Sequence, residues 1–381
     1  PFNDKTKQLA NFDRDFPGGR VVVQDTNLVA PAFRESIGST PIVSYKDAGL
    51  PETLRRLDKS NFNPRFGFAY RLSDNNNTVI RGGFGIYTVT ILGRVLYSLE
   101  GVANGSFLSF SNTSPAQVRA TGNAALRFPN VFPQGTGDAG GLPDFRRANP
   151  VDFRDTYSMQ WNLTLEHDLG WSTGLRFTYN GQRQLDLVHS PDINQVKPNT
   201  AGFGQVRDQR PFKNFNAILD RANGPSGKYH AFTTEVTKRF SKGLSFQNSY
   251  VWAKNLSNAN GPAPSGFSAE NGPTTLDFFD IAKDYGDVAF TRRHRFVSTF
   301  LWELPVGIGR PYASGISKVA DAFIGGWQVA GIVNLQTGPY LTPFFQGADP
   351  SGTGANVRGV QGTQRPDRVG NGNLSNPTRE R

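Results

Sequence analysis

The run Tyr157-Ser158-Met159-Gln160-Trp161-Asn162-Leu163-Thr164-Leu165-Glu166 places an apolar or aromatic side chain at every odd position and a polar one at every even position. Successive side chains of a strand point to opposite faces, so this segment reads as a strand with one apolar and one polar face. A helix would space its apolar residues three and four apart, which this run does not do. Two architectures can use such a strand. Sheets packed face to face bury the apolar side in protein, whereas a membrane barrel turns it to lipid and keeps the polar side for a lumen.

The alternation recurs along the chain. Leu175-Arg176-Phe177-Thr178-Tyr179-Asn180 repeats it after the turn-rich Asp168-Leu169-Gly170-Trp171-Ser172, and the two segments read as a hairpin. Phe66, Phe68, Tyr70 and Leu72 pair with Ile80, Phe84 and Ile86 across Ser73-Asp74-Asn75-Asn76-Asn77, residues that tolerate left-handed φ and satisfy their own backbone. Phe232, Thr234, Val236 and Phe240 precede Ser241-Lys242-Gly243, and Leu244, Phe246, Tyr250 and Trp252 follow it. A last hairpin joins Phe296, Phe300, Trp302 and Leu304 to Trp327, Val329, Val333 and Leu335. Eight strands in four hairpins are expected, with one or two more within 1–30.

The connections are unequal. Those near 73–77, 168–172 and 241–243 are short, whereas 89–151, 185–228 and 256–288 are long and rich in Gly, Pro, Asn, Ser and Asp. Structureless loops of that length are uncommon in compact soluble domains, and outer-membrane barrels combine short periplasmic turns with long extracellular loops. The link from Pro305 to Gly325 is longer than a turn; it is read as periplasmic, with a short helix around Ile316–Phe323.

No change of composition divides the 381 residues into two domains. A helical span needs about 18 apolar residues in a row and none occurs, but a β-span needs only about 9–11 alternating ones. With no cysteine, there is neither a disulfide framework nor a thiolate metal site. The first residue is Pro1 and the only methionine is Met159, so the chain reads as a processed or partial product, for which a missing secretory leader says nothing about compartment. The net charge of +10 is spread along the chain instead of gathered into a stripe, so no nucleic-acid partner is expected.

Asn61-Phe62-Asn63-Pro64-Arg65-Phe66-Gly67-Phe68-Ala69-Tyr70, followed by Thr78-Val79-Ile80-Arg81-Gly82-Gly83-Phe84-Gly85-Ile86-Tyr87, resembles the barrel of TonB-dependent outer-membrane receptors, in particular the Oar-like subgroup. Tyr229–Phe240, Gly243–Lys254, Arg292–Pro305 and Gly325–Tyr340 continue the resemblance in order along the chain. What it implies is an all-β fold, an antiparallel transmembrane barrel built as a large up-and-down meander in the outer membrane of a Gram-negative-type bacterium. Such receptors pass a scarce substrate through a plugged barrel, with energy from the inner-membrane TonB complex. No plug, carboxypeptidase-regulatory-like domain or TonB box is recognised, and the chain ends at Arg381 after the loop-like Arg365-Pro366-Asp367-Arg368-Val369-Gly370. Residues 1–381 are therefore expected to be part of one receptor barrel domain of roughly 22 strands, truncated at both ends. An open barrel leaves unpaired edges that are costly in lipid, so transport is expected of the full-length receptor only. The partners implied are outer-membrane lipid, the TonB complex and an unidentified substrate. Two rivals are a passive porin-like channel, lacking plug and TonB box, and a soluble or surface β-rich adhesion protein, whose second layer would cover Phe232, Phe246 and Phe300.

No catalytic residue, cofactor or metal site is expected. Trp161, Trp171, Trp252, Trp302 and Trp327 lie in strands or at their ends and are read as an aromatic girdle at the two membrane interfaces. Asp277, Asp280, Asp284 and Asp287 do not have the spacing of an EF-hand, and a solvated acidic loop is the plainer account. His167, His189, His230 and His294 are too far apart in sequence to show a ligand pair. Arg81-Gly82-Gly83-Phe84-Gly85 lacks the Lys-Ser/Thr of a phosphate loop and sits within a strand. Phe107, Phe110, Phe267, Phe278 and Phe279 place aromatic rings on the long loops, suited to a sugar, peptide or siderophore or to packing the loops on one another.

Overall fold

The structure is a computed structural model that describes residues 5–72, 77–89, 142–259, 275–343, 345, 349–354, 364–367 and 369–370. Strands β1 (Ala10–Asp13), β2 (Arg20–Val23) and β3 (Ile42–Ser44), with helix α1 (Pro31–Ser36) between the last two, open the chain. Then come β4 (Arg65–Arg71), β5 (Thr78–Val89), β6 (Phe145–Ala148), β7 (Thr156–Gly170), β8 (Thr173–Leu185) and β9 (Val188–His189). A short helix α2 (Phe203–Val206) precedes β10 (Ile218–Asp220), β11 (Ala222–Asn223), β12 (Gly227–Ser241) and β13 (Leu244–Ser257). The two-residue β14 (Gly286–Asp287), β15 (His294–Glu303), helix α3 (Lys318–Ile324) and β16 (Gln328–Gln336) complete the described elements.

Eight of these strands form one antiparallel meander in the order β4-β5-β7-β8-β12-β13-β15-β16, with β14 added at the end of β13. These are the four hairpins expected from the alternation. Their register keeps the two faces distinct across the whole sheet: Tyr70, Ile80, Leu165, Phe177, Thr234, Tyr250, Phe296 and Leu335 are successive partners in one row. The next row toward the short turns carries Arg71, Val79, Glu166, Arg176, Glu235, Ser249, Val297 and Asn334. A one-residue slip of β7, β8 or β12 would bring Glu166, Arg176 or Glu235 into the apolar row, so on these strands the pattern itself fixes the register.

Two tight turns explain how the hairpins close. Trp171 and Ser172 have φ of 49° and 62°, and Lys242 and Gly243 have 51° and 79°. Two consecutive residues in the left-handed region make the turn whose twist matches paired strands. The asparagine-rich turn expected at 73–77 lies outside the described residues apart from Asn77.

Glycines within strands have a steric cause. Gly82, Gly181 and Gly331 are the direct cross-strand partners of Phe68, Trp161 and Phe300. A Cβ on Gly82 would come 2.5 Å from the Phe68 ring, and one on Gly331 2.9 Å from the Phe300 ring; the indole of Trp161 leaves no room on Gly181. Each ring lies flat over a bare backbone, the arrangement in which an aromatic covers a strand glycine.

The hairpin tips march steadily along the strands. Projected through the pairings onto β12, the last pairs before the four turns fall at positions 235, 238, 241 and about 242. A drift of about seven residues over six strand spacings, with about 3.3 Å per residue and about 4.8 Å between strands, corresponds to a tilt of about 40° if the tips lie at one height. That is the tilt of strands in a closed barrel, typically about 35–45°.

A second region is built differently. The N-terminal strands and the connections around 142–155 and 186–226 enclose Phe12, Val21, Phe33, Ile37, Phe145, Ile193, Phe215 and Ile218, all buried. Phe12 packs with its ring centroid 5.6 Å from that of Phe145 and 5.3 Å from that of Phe215. Buried asparagines stitch the segments: Asn11 donates to the carbonyls of Leu54 and Asn149 and accepts from Asn149 N, while Asn194 donates to Phe212 and Phe215. In this body β2 lies between β1 and β3, so the strands expected in 1–30 exist but do not join the barrel sheet. Val21, Val22 and Val23 are all buried, and strands buried on both faces have no alternation to read.

Candidate functional site

One face of the meander is apolar and uncovered. Leu163, Leu165, Tyr179, Phe232, Tyr250, Trp252, Val329 and Leu335 all stay exposed, with Phe232 at 40%. Among the described residues no second sheet lies over Phe232, Phe246 or Phe300, which a sandwich would require.

The opposite face carries a charged ladder across five strands. Arg81 Nη2 is 3.3 Å from Glu166 Oε2, and Glu166 Oε1 accepts from Arg176 Nε at 3.0 Å. Arg176 Nη1 donates to Glu235 Oε2 at 3.2 Å, and Glu235 Oε1 accepts from Gln247 Nε2 at 2.8 Å. The charges alternate, so the wall satisfies its own groups and does not present a single-sign patch. Beside the ladder, a depression of about 260 Å³ is lined by Arg65, Tyr87, Gln160 and Asn162 over Gly67, Gly83 and Gly85. The Arg65 guanidinium lies 4.5 Å from the centroid of the Tyr87 ring. The run Arg81 to Gly85 thus belongs to β5 and its glycines face aromatic rings and this depression, not a phosphate loop.

The tryptophans fall into two groups along the strands. Trp171 is at the tip of the β7/β8 turn and Trp302 and Trp327 flank the β15/β16 connection, all at the short-turn end. Trp161 and Trp252 lie toward the long-loop end. On β13, Trp302 is opposite Leu244 and Trp252 is eight residues further on, about 26 Å along the strand. At a strand tilt of about 40° that is about 20 Å of height, within the outward apolar band of outer-membrane barrels, which is about 25 Å tall.

The acidic loop is a set of local partners. Asp277 accepts from Lys283 Nζ at 2.7 Å, Asp280 caps the following turn at Ala282 N, Asp284 pairs with Arg365 at 2.7 Å, and Asp287 pairs with Lys254. Burial raises the Asp284 carboxyl above its ordinary range, partly opposed by Arg365. The histidines also have separate partners: His167 with Thr78, His230 with Tyr179, His294 with Tyr250 and His189 with Thr275. Phe278 packs against the loop-side core and Phe279 receives Lys197 over its ring, so these two aromatics fold the loops on one another. Phe107, Phe110 and Phe267 lie outside the described residues.

Sequence reasoning missed the ionic centre of the loop-side body. Asp220 is fully enclosed, with one oxygen 2.9 Å from Arg14 Nη1 and the other without a hydrogen-bond partner. Burial pushes its pKa up to about 6, against the pull of Arg14. Burial, reinforced by the Arg14 charge, takes His189 down to about 4. Arg14 and Asp220 are 206 residues apart, so no local pattern could have joined them.

A family model for outer membrane beta barrel domains matches residues 1–381. The chain belongs to this family. As an outer-membrane β-barrel chain it turns the apolar face to lipid and the ladder face to the lumen. Similar solved structures include the outer membrane transporter YddB from Escherichia coli, at 12% identity and a TM-score of 0.39, covering 72% of this chain and 32% of that one. A mutant of the ferric enterobactin receptor PfeA from Pseudomonas aeruginosa is 13% identical with a TM-score of 0.36, covering 64% and 26%. The siderophore receptor PirA from the same organism is 12% identical with a TM-score of 0.32, covering 64% and 31%. The chain spans about a third or less of the length of these proteins. No curated protein matches it.

Proposed function

We propose that the chain forms a sector of the wall of a TonB-dependent, Oar-like transporter that moves a scarce substrate across the outer membrane with energy supplied through TonB. The observation that carries the reading is the ordered run of receptor-like strand and turn segments from Asn61 to Tyr340, set on an eight-strand meander with a lipid face and a polar lumen wall. In this reading 1–381 is part of one receptor barrel domain, and a plug and TonB box act with it. The ladder and the depression beside Tyr87 supply donors and acceptors to whatever fills the lumen, and the loop-side body crowns the mouth. The tryptophans at the two strand ends act as the interfacial girdle.

The passive-channel alternative differs in one measurable way. A plugged receptor reconstituted in a planar bilayer holds closed, whereas an open porin conducts steadily. The expected result for the full receptor is a closed baseline and uptake that stops when TonB is deleted; sustained conductance with uptake independent of TonB would overturn the reading.

A further inference from the structure

The connection between β15 and β16 is more than a turn. Residues 304 to 327 carry α3, whose Ser317 side chain accepts from Ala320 N and whose Asp321 carboxylate accepts from Ile308 N at 2.7 Å. Asp321 thereby turns the polar side of the helix toward its own loop. The other side is apolar and bare: Val319 is 72% exposed and Phe323 74%, with Ile324 beside them. A soluble loop gains nothing by holding such residues in water.

The helix is tied to the lipid side of the sheet. The Trp327 indole N–H donates to the Phe323 carbonyl at 2.8 Å. Trp327 shares a strand face with Val329, and Val329 is the cross-strand partner of Trp302. The apolar side of α3 is therefore continuous with the lipid-facing surface at the short-turn end, while Lys318 stands exposed in its first turn.

We propose that α3 and Trp327 form an interfacial anchor, lying in the plane of the membrane with Val319, Phe323 and Ile324 in the boundary between headgroups and acyl chains. Phospholipid is the occupant that fits, because the patch extends an existing lipid-facing surface and its exposed charge is basic, as in helices that lie on anionic bilayers. The inference rests on the lipid-facing assignment of the sheet and not on energy coupling.

Residues 1–381 contain no cysteine, so a single probe placed within them meets no native thiol of this segment. Phe323→Cys and Val319→Cys, labelled with an environment-sensitive fluorophore, are compared with Val329→Cys in the receptor folded into phosphatidylethanolamine and phosphatidylglycerol vesicles. Nitroxide near the lipid headgroup is expected to quench the probes at 323 and 319 at least twofold more than nitroxide deep in the acyl chains, and aqueous iodide only weakly. Quenching by iodide alone would overturn the anchor, and so would shielding from both reagents, which would mean protein covers the helix. The probe at 329 separates the two levels: lipid quenching there without any at 323 sinks the anchor alone, whereas no lipid quenching at either sinks the lipid-face assignment with it.

Discussion

The meander and the loop-side body use the same chain chemistry in opposite ways. In the meander, rows of Phe, Leu, Tyr and Trp remain exposed, and the strands are held by register and by backbone hydrogen bonds between neighbours. In the loop-side body, Phe12, Phe145, Phe215 and Ile218 are sealed in protein. Burying a large apolar side chain is worth about 1.5–3 kcal/mol, and the body gains this in water. The meander gains it only when lipid covers its outer face. One region is therefore folded by its own interior and the other by its solvent, which is why they should fail under different perturbations.

The largest separation is expected from the core. Phe145→Ala removes a fully buried ring in contact with Phe12, Phe33 and Phe215, and Phe-to-Ala changes in such sites cost about 3–5 kcal/mol. Hydrogen exchange should accelerate through β1, β2 and β10 while β12 and β13 in lipid keep their protection; equal loss in both regions would show that the two are not independent.

Acid titration divides them next. The raised pKa of Asp220 favours the folded body below its ordinary value near 3.8, and this contribution is lost as pH rises to about 6. The lowered pKa of His189 favours folding above about 6.5, and that contribution is lost as pH falls to about 4. Each amounts to about 3 kcal/mol, and between pH 4 and 6 they oppose one another. Relative to the native chain, His189→Asn should make the body lose stability as pH rises through this window, and Asp220→Asn should make it gain. Proteolysis of the loop region across pH reads both slopes, and parallel slopes in the two variants would rule out the pairing.

Facing is tested by neighbours. Leu165→Arg places a charge on the lipid face midway along β7 and is expected to cost about 2–4 kcal/mol of membrane stability, whereas Thr164→Arg on the lumen face should cost little. Urea titration of the two variants in lipid vesicles measures the difference, and similar costs would mean the faces are misassigned.

The comparison also explains what could be read in advance. Each long strand reports its own faces because Tyr157 to Glu166 alternates with period 2, and the same pattern fixed pairing once the short turns were recognised. The helix expected near Ile316–Phe323 was legible too, as α3. The loop-side body was not, because its information is non-local: Phe12 meets Phe145 and Phe215, Asn11 meets Asn149, and Arg14 meets Asp220. One or two further barrel strands were expected within 1–30, and only the pairing of β2 with β1 and β3 shows that the strands there belong to the other body. The ladder fell between the two cases. Glu166, Arg176 and Glu235 could each be assigned to the polar face, but their sharing of one row depends on a register that spans three strands.

That ladder should show the smallest effect, and its size is informative. Arg176 bridges Glu166 and Glu235 with its side chain half exposed, and solvent-exposed ion pairs are generally worth about 0–1 kcal/mol. Arg176→Met should therefore cost less than about 1 kcal/mol, far below the lipid-face charge on the neighbouring strand β7. A double-mutant cycle with Glu235→Gln isolates the coupling, which should shrink when salt is raised because a water-filled lumen screens it. A coupling of several kcal/mol that ignores salt would place the ladder in a dry environment. The polar face would then be packed against protein along this row, and the contrast between a solvent-folded sheet and a self-folded body would hold for only one face of the sheet.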